Sequence, residues 1–445
     1  MTDELLNFAQ DVVTRARKLG ADGADAMAMD AQGTDIEMRE GQIEKLERTE
    51  ARAIGLRVFV GQSSAMISGS VFTAEALQRL AETAVAMARE TPPDEFAGLA
   101  PVELLAKNIP ALDLVSNYLP ASDELKALSL AVEDAARAVP GVSKSGGAGA
   151  SASELVIALV TSHGFAQAYR RTGISLGVSA IAGEGTGMER DYDYSSAIHF
   201  SDLKTPEYVG KSAGERAVKR LGARKVSSQT VPVVYDRRVA SSLIGHLAGA
   251  INGASIARGT GFLKSSMGRR IFAKGIAVVD DPLRPRGMGS RPFDGEGLAT
   301  SRRELVADGI LQGWLLDLRA ARQLKLAPTG NGARGLSSPP GPSTSNLHLE
   351  PGHLTLEEMI GSITQGLFIT ELIGNSVNMV TGDYSRGASG YWIENGALAY
   401  PVSEITIAGN LKDMFMTLEP ANDLEFKSST NAPTCRVEGL TIAGT

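Results

Sequence analysis

The chain has 445 residues, 43% of them hydrophobic and 21% charged, a globular composition that makes disorder a poor default reading. The net charge of −7 comes with scattered Lys and Arg and no basic block, which argues against a surface that tracks a phosphate backbone and hence against direct nucleic-acid binding. One cysteine, Cys435, cannot make an intrachain disulfide or a Cys-based zinc site, and no apolar run nears the roughly 18 residues of a membrane span. With an acidic start at Met1-Thr2-Asp3-Glu4 and no apolar signal region, the expectation is a cytoplasmic chain without a membrane segment.

In chain order, apolar residues at Leu5, Phe8, Ala9, Val12, Val13, Ala16 and Leu19 have helical spacing, stopped by Gly20. Ala26 to Ala31, Thr34 to Leu46 and Ala53 to Val60 read as strands, and a Gly61-Gln62 turn leads into a hairpin partner at Ser64 to Ser70. Thr73 to Arg89 returns to helical period with Thr73 as N-cap. The proline-rich stretch from Thr91 to Pro120 is the first linker. A helix from Ser122 to Val139 follows, then a Gly/Ser tract at 145–150 read as flexible, strands at Glu154 to Ser162, Phe165 to Ala182 and Tyr192 to Phe200, and a helix from Pro206 to Leu221. Beyond Val231, Gly and Pro are dense and strands alternate with turns; only Asp236 to Ile251 and Thr355 to Thr364 read as helices. Asn395-Gly396 has the composition of a type I′ hairpin turn. The expected fold is α+β: an N-terminal α/β domain over 1–110, a middle α/β domain over 111–225 and a mainly antiparallel β domain over 226–445.

Two motifs fail on context. Gly173-Ile174-Ser175-Leu176-Gly177 matches G-x-S-x-G, but its residues alternate as a strand and offer no strand-to-helix elbow for a nucleophile. Gly330-Asn331-Gly332-Ala333-Arg334-Gly335 matches a dinucleotide fingerprint, yet Ser337-Ser338-Pro339-Pro340 follows where a helix would have to start. His163, His199, His348 and His353 lack a second ligand at metal spacing. His246 differs, because it lies on the predicted helix capped by Asp236 with Val239, Leu243, Leu247 and Ile251 as its buried stripe.

That helix, Ser241-Ser242-Leu243-Ile244-Gly245-His246, together with the blocks Gly382 to Gly396, Tyr400 to Leu411, Asp280-Asp281-Pro282 and Asp294 to Gly297, resembles the TldD/PmbA family on its PmbA (TldE) side. The likeness spans essentially the whole chain. It implies that the TldD branch carries H-E-x-x-x-H where this chain has Ser241, Ser242 and His246, so two zinc ligands and a general base reduce to one imidazole. A hydroxyl is a poor zinc ligand at neutral pH and cannot take a proton from metal-bound water. Ser242 and His246, four residues apart on one helix face, are expected to hydrogen-bond to each other. Cys435 is expected as a buried core thiol, and no catalytic or metal-ligating residue is assigned in this chain.

The resemblance implies a non-catalytic subunit of a zinc metalloprotease complex, also called modulator of DNA gyrase, with zinc in a TldD-like partner and unfolded or leader peptides as substrates. Asp383, Arg386, Ser389, Trp392 and Asn395 are then candidates for a peptide groove or a subunit interface. Two alternatives stay open: a self-sufficient metallopeptidase homodimer using His246 with acids from elsewhere, and a protein-interaction regulator of DNA gyrase.

Overall fold

The computed structural model describes residues 2–444. Six strands form the first sheet: β1 (Gly23–Arg39), β2 (Gln42–Val60), β3 (Ser63–Gly69), β4 (Val142–Thr161), β5 (Ala166–Ala182) and β6 (Glu189–Ala197), ordered β3-β2-β1-β4-β5-β6. Four helices cover one face of it: α1 (Thr2–Lys18), α2 (Ala74–Glu90), α3 (Ser122–Arg137) and α4 (Pro206–Lys219). Because side chains alternate along a strand, even positions of β1 face the helices. Ala24, Ala26 and Ala28 pack under α1 and α2, whereas Ile36 and Met38 pack under α3 and α4. The odd positions face the other way, where Met27 and Leu159 meet Phe293, Leu298 and Leu318 of the C-terminal half.

The two N-terminal segments, expected as separate α/β domains at 1–110 and 111–225, therefore share one sheet. β1 and β4 pair antiparallel from Asp25 opposite Thr161 to Met38 opposite Ala148, and the proline-rich stretch packs on the face away from the helices, where Ala100, Leu105 and Ala106 join Met27 and Leu159. The expected Thr34 to Leu46 strand is broken by a tight turn at Glu40-Gly41, both at positive φ (52° and 76°), which suits a two-residue hairpin. The Gly/Ser tract at 145–150, expected to be flexible, lies inside β4. Its small side chains let α3 and α4 pack closely, and Ala148 and Ala150 are buried there.

In the C-terminal half, β7 (Gln229–Tyr235) leads straight into α5 (Arg237–Ala250). β7 lies between the Gln365–Val377 strand, parallel to it, and the Cys435–Ala443 strand, antiparallel to it. Asp383–Glu394 and Ala397–Asn410 continue the sheet beyond Gln365–Val377. The Ala397–Asn410 strand also bonds to Cys435–Ala443, so five strands close into a ring. Most pairings are antiparallel, and Asn395-Gly396 turns with positive φ at both residues (49° and 78°), as a type I′ turn requires. Three short helices, Gly253–Ala257, Leu318–Leu324 and Leu411–Thr417, were not expected. Each is one or two turns long and set by its cap, Asn252, Asp317 or Asn410, which is too short for a 3.6-residue period to show.

A helix bearing one imidazole

Asp236 caps α5, accepting a hydrogen bond from Arg238 N at 2.8 Å, and the stripe Val239, Leu243, Leu247 enters a core shared with Tyr235, Ile369, Tyr384 and Trp392. Burial of this stripe fixes the helix rotation and thereby where the polar positions point. Arg238 reaches out of the C-terminal half to Asp191 on β6. Arg220 joins the same cluster, 3.7 Å from Asp191 and 2.7 Å from Glu371. Asp191 is 3% exposed; burial works against the Arg238 charge, but its hydrogen bond with Asp191 prevails and raises the guanidinium pKa.

Ser241 and Ser242 do not meet His246. Ser241 lines a separate cavity of about 60 Å³ with Tyr192, Tyr194, Arg237 and Lys427. The expected bond between Ser242 and His246 is absent: Ser242 Oγ donates to Val239 O one turn back, at 2.6 Å. A short hydroxyl on a helix satisfies itself on its own backbone more readily than it reaches an imidazole four residues on. His246 Nε2 is left buried without a partner.

What surrounds His246 comes from the sheet. The Tyr384 ring meets the imidazole edge-on, with centroids 6.0 Å apart. Two residues on, and so on the same face of its strand, Arg386 sits close enough for its charge to act on His246. Burial first and Arg386 second lower the His246 pKa, so the ring is neutral at pH 7. Tyr235, at the end of β7, lies beside Tyr384. Burial raises both phenols, Tyr384 to about 12 and Tyr235 well above its usual value, so both stay protonated. The two hydroxyls lie near each other but outside hydrogen-bonding geometry, and both lack a partner, as does Arg386 Nε. Each buried polar group left unsatisfied costs about 1–3 kcal/mol, which makes this the most polar-strained spot near the helix.

A divalent cation needs several neutral or anionic donors converging on one point. Around His246 the set is one imidazole nitrogen, two protonated phenols and a guanidinium, which repels a cation. Cys435, on the strand beside Tyr235, is fully buried with its thiol donating to Pro433 O at 3.2 Å. Burial holds that thiol far above its usual pKa, so it offers no thiolate. Among the described residues, no three His, Cys, Asp or Glu side chains gather as a metal site would need. The residues present do not fit a bound zinc ion.

Of the groove candidates, only Arg386 joins His246. Ser389 and Trp392 are buried. Asp383 is tied to Thr381 Oγ1 at 2.6 Å and Asn410 Nδ2 at 3.1 Å at the start of its strand, with Asn395 in the turn at the far end, so these five do not form one patch. The rejected motifs stay rejected: Ser175 sits mid-strand with its Oγ 2.8 Å from Ser151 Oγ, and 330–335 is loop with a two-residue strand at Gly332–Ala333. His199 has a carboxylate that sequence spacing did not show, with Asp113 Oδ1 at 3.1 Å. Tyr235 and Tyr384 were missed as site residues, since buried tyrosines in strands look like ordinary core.

A helix-covered sheet is thus joined to a strand ring that carries a single-histidine helix. Models of the PmbA/TldA metallopeptidase domain 1, central domain and C-terminal domain match residues 24–88, 119–221 and 228–444. The chain is 38% identical over 440 residues to Metalloprotease PmbA of Escherichia coli, covering 98% of this chain and 96% of that one. It is 35% identical to a Metalloprotease PmbA homolog of Haemophilus influenzae, covering 99% and 96%. A solved Bacteroides thetaiotaomicron protein described as a modulator of DNA gyrase superposes with TM-score 0.92 at 27% identity, covering all of both chains. TldE from Thermococcus kodakarensis shares the fold, with TM-score 0.88 at 20% identity over 98% of this chain and 100% of that one. The chain belongs to the PmbA/TldD metallopeptidase family, on its PmbA (TldE) branch. Among the described residues, no helix is long and apolar enough to cross a membrane.

Proposed function

We propose that this chain is the non-catalytic subunit of a cytoplasmic TldD/TldE-type zinc metalloprotease complex. It pairs with a TldD-like subunit that holds the zinc, and it forms one wall of a chamber that takes unfolded or leader peptides. The observation that carries the reading is the donor set on α5: a lone neutral imidazole facing Arg386, with Ser242 turned back onto its own helix. Hydrolysis by a metal-bound water needs donors that hold a cation and a base beside it, and these residues supply neither. A strand-rich wall can still grip extended peptides through backbone hydrogen bonds, largely independent of their side chains.

The test is co-expression with a TldD-like chain. The complex should cleave unfolded peptides with zinc in the partner, while this chain alone stays inert even with zinc added; zinc-dependent turnover by the isolated chain would refute the reading. The curated relatives' name, metalloprotease, favours a second reading, a self-sufficient homodimeric peptidase. Stoichiometric zinc in the isolated chain, lost on His246→Ala, would select that one.

A further inference from the structure

The groups around His246 share one property: none has a negatively charged partner among the described residues. Tyr235 is 0% and Tyr384 2% exposed, and both hydroxyls are protonated donors without a partner. Arg386 is half-buried, and its Nε lacks any partner. No ion pair or hydrogen bond ties its side chain among the described residues; elsewhere in the molecule buried guanidiniums have carboxylates, as Arg238 has Asp191 and Arg57 has Asp25. Neutral His246 adds an Nε2 that donates or accepts according to tautomer. Three donor groups, one of them a permanent cation, thus lie about the imidazole, and the acceptors among them, the phenol oxygens and one imidazole nitrogen, carry no charge. The chemical complement of such a set is an oxyanion.

We propose that His246, Tyr235, Tyr384 and Arg386 form a carboxylate-binding site. The guanidinium supplies the charge, the phenols supply directed O–H donors, and the neutral imidazole completes the shell from α5. His246 and Arg386 are both only partly buried, so both are within reach of solvent. That the carboxylate belongs to a bound peptide, as its C-terminus or as an acidic side chain, rests on the peptide-wall reading above. The anion site itself does not.

The test is thermal unfolding of the full chain at constant ionic strength and neutral pH, titrating acetate against chloride. A ligand that binds only the folded state raises Tm in a saturable way. The parent should show an acetate-specific rise. Tyr384→Phe keeps the ring against His246 and removes only the hydroxyl, and it should weaken acetate at least about tenfold, the loss expected when a charge-assisted hydrogen bond disappears. Arg386→Gln should abolish the response. No acetate-specific shift in the parent, or an equal shift in both variants, overturns the site. Trialanine as free acid, its C-terminal amide and an amidated aspartyl peptide then separate the sources: response to the free acid alone assigns a peptide C-terminus, and response to the aspartyl amide assigns an acidic side chain. Failure of all three peptides with acetate still binding would sink the peptide assignment and leave the anion site standing. Assembly with a TldD-like chain, measured separately, is unaffected by either result.

Discussion

Arg238, in the first turn of the helix that carries His246, donates to Asp191 on the edge strand of the N-terminal sheet at 2.8 Å. The pair spans the two halves of the molecule, and Asp191 is 3% exposed. A buried ion pair adds little net stability over apolar packing, yet removing one partner strands the other charge. Asp191→Asn leaves Arg238 and Arg220 undercompensated and should cost about 3–5 kcal/mol in urea unfolding. A loss below about 0.5 kcal/mol would show that this pair does not hold the two halves together.

A second buried carboxyl predicts a pH dependence. Glu296 is 3% exposed, accepts a hydrogen bond from Leu318 N and lies 3.8 Å from Arg57. Burial pushes its pKa from 4.5 up to about 8, with Asp294 pushing the same way and Arg57 opposing. The folded chain then binds this proton more tightly than the unfolded chain does. Stability from this group is therefore highest below about pH 4.5, falls as pH rises toward 8, and levels off above it. Glu296→Gln should flatten that fall and be more stable than the parent at about pH 8.5 by about 1–3 kcal/mol. Parallel stability curves for the two proteins from pH 5 to 8 would contradict the assignment.

The thiol of Cys435 is predicted to be unreactive while the protein is folded. It is fully buried, and its raised pKa removes the thiolate that attacks a disulfide reagent. Ellman's reagent should titrate no thiol in the native chain and one after unfolding, with the native rate reporting only the opening of the last strand. Prompt native reaction would place the thiol at the surface.

Gly55 on β2 sits where a loop of the C-terminal half crosses the sheet. A Cβ there would run into the carbonyl of Leu336, backbone that cannot swing aside. Gly55→Ala should cost about 1–3 kcal/mol through overpacking and should lower Tm without changing the helix content seen by circular dichroism. Gly61→Ala has open space but a φ of +59° and should cost less, about 1 kcal/mol.

Elements with a long period were legible from the residues. α1, α2, α4 and α5 begin within two or three residues of their expected starts, and Thr73 and Asp236 cap as their side chains imply. What sequence could not show was pairing at a distance. Nothing local in Asp25 or Thr161 says that they lie opposite each other, so the sheet shared by the two N-terminal segments could not be foreseen. The site divides in the same way. His246 could be found from its helix and family motif, and Arg386 from its block, but Tyr235 and Tyr384 belong to it only because the strand ring brings their hydroxyls to the imidazole.

The long ladder between β1 and β4 also bears on how the chain is made. While a ribosome is still translating the first 140 residues, β1 has β2 on one side and a bare edge on the other, ready to stick to any extended neighbour. Closing that gap must wait for a segment more than a hundred residues downstream, a slow, non-local step. Nascent chains halted in the proline-rich loop should accordingly be the ones that recruit chaperones or aggregate, whereas chains released after β4 should not.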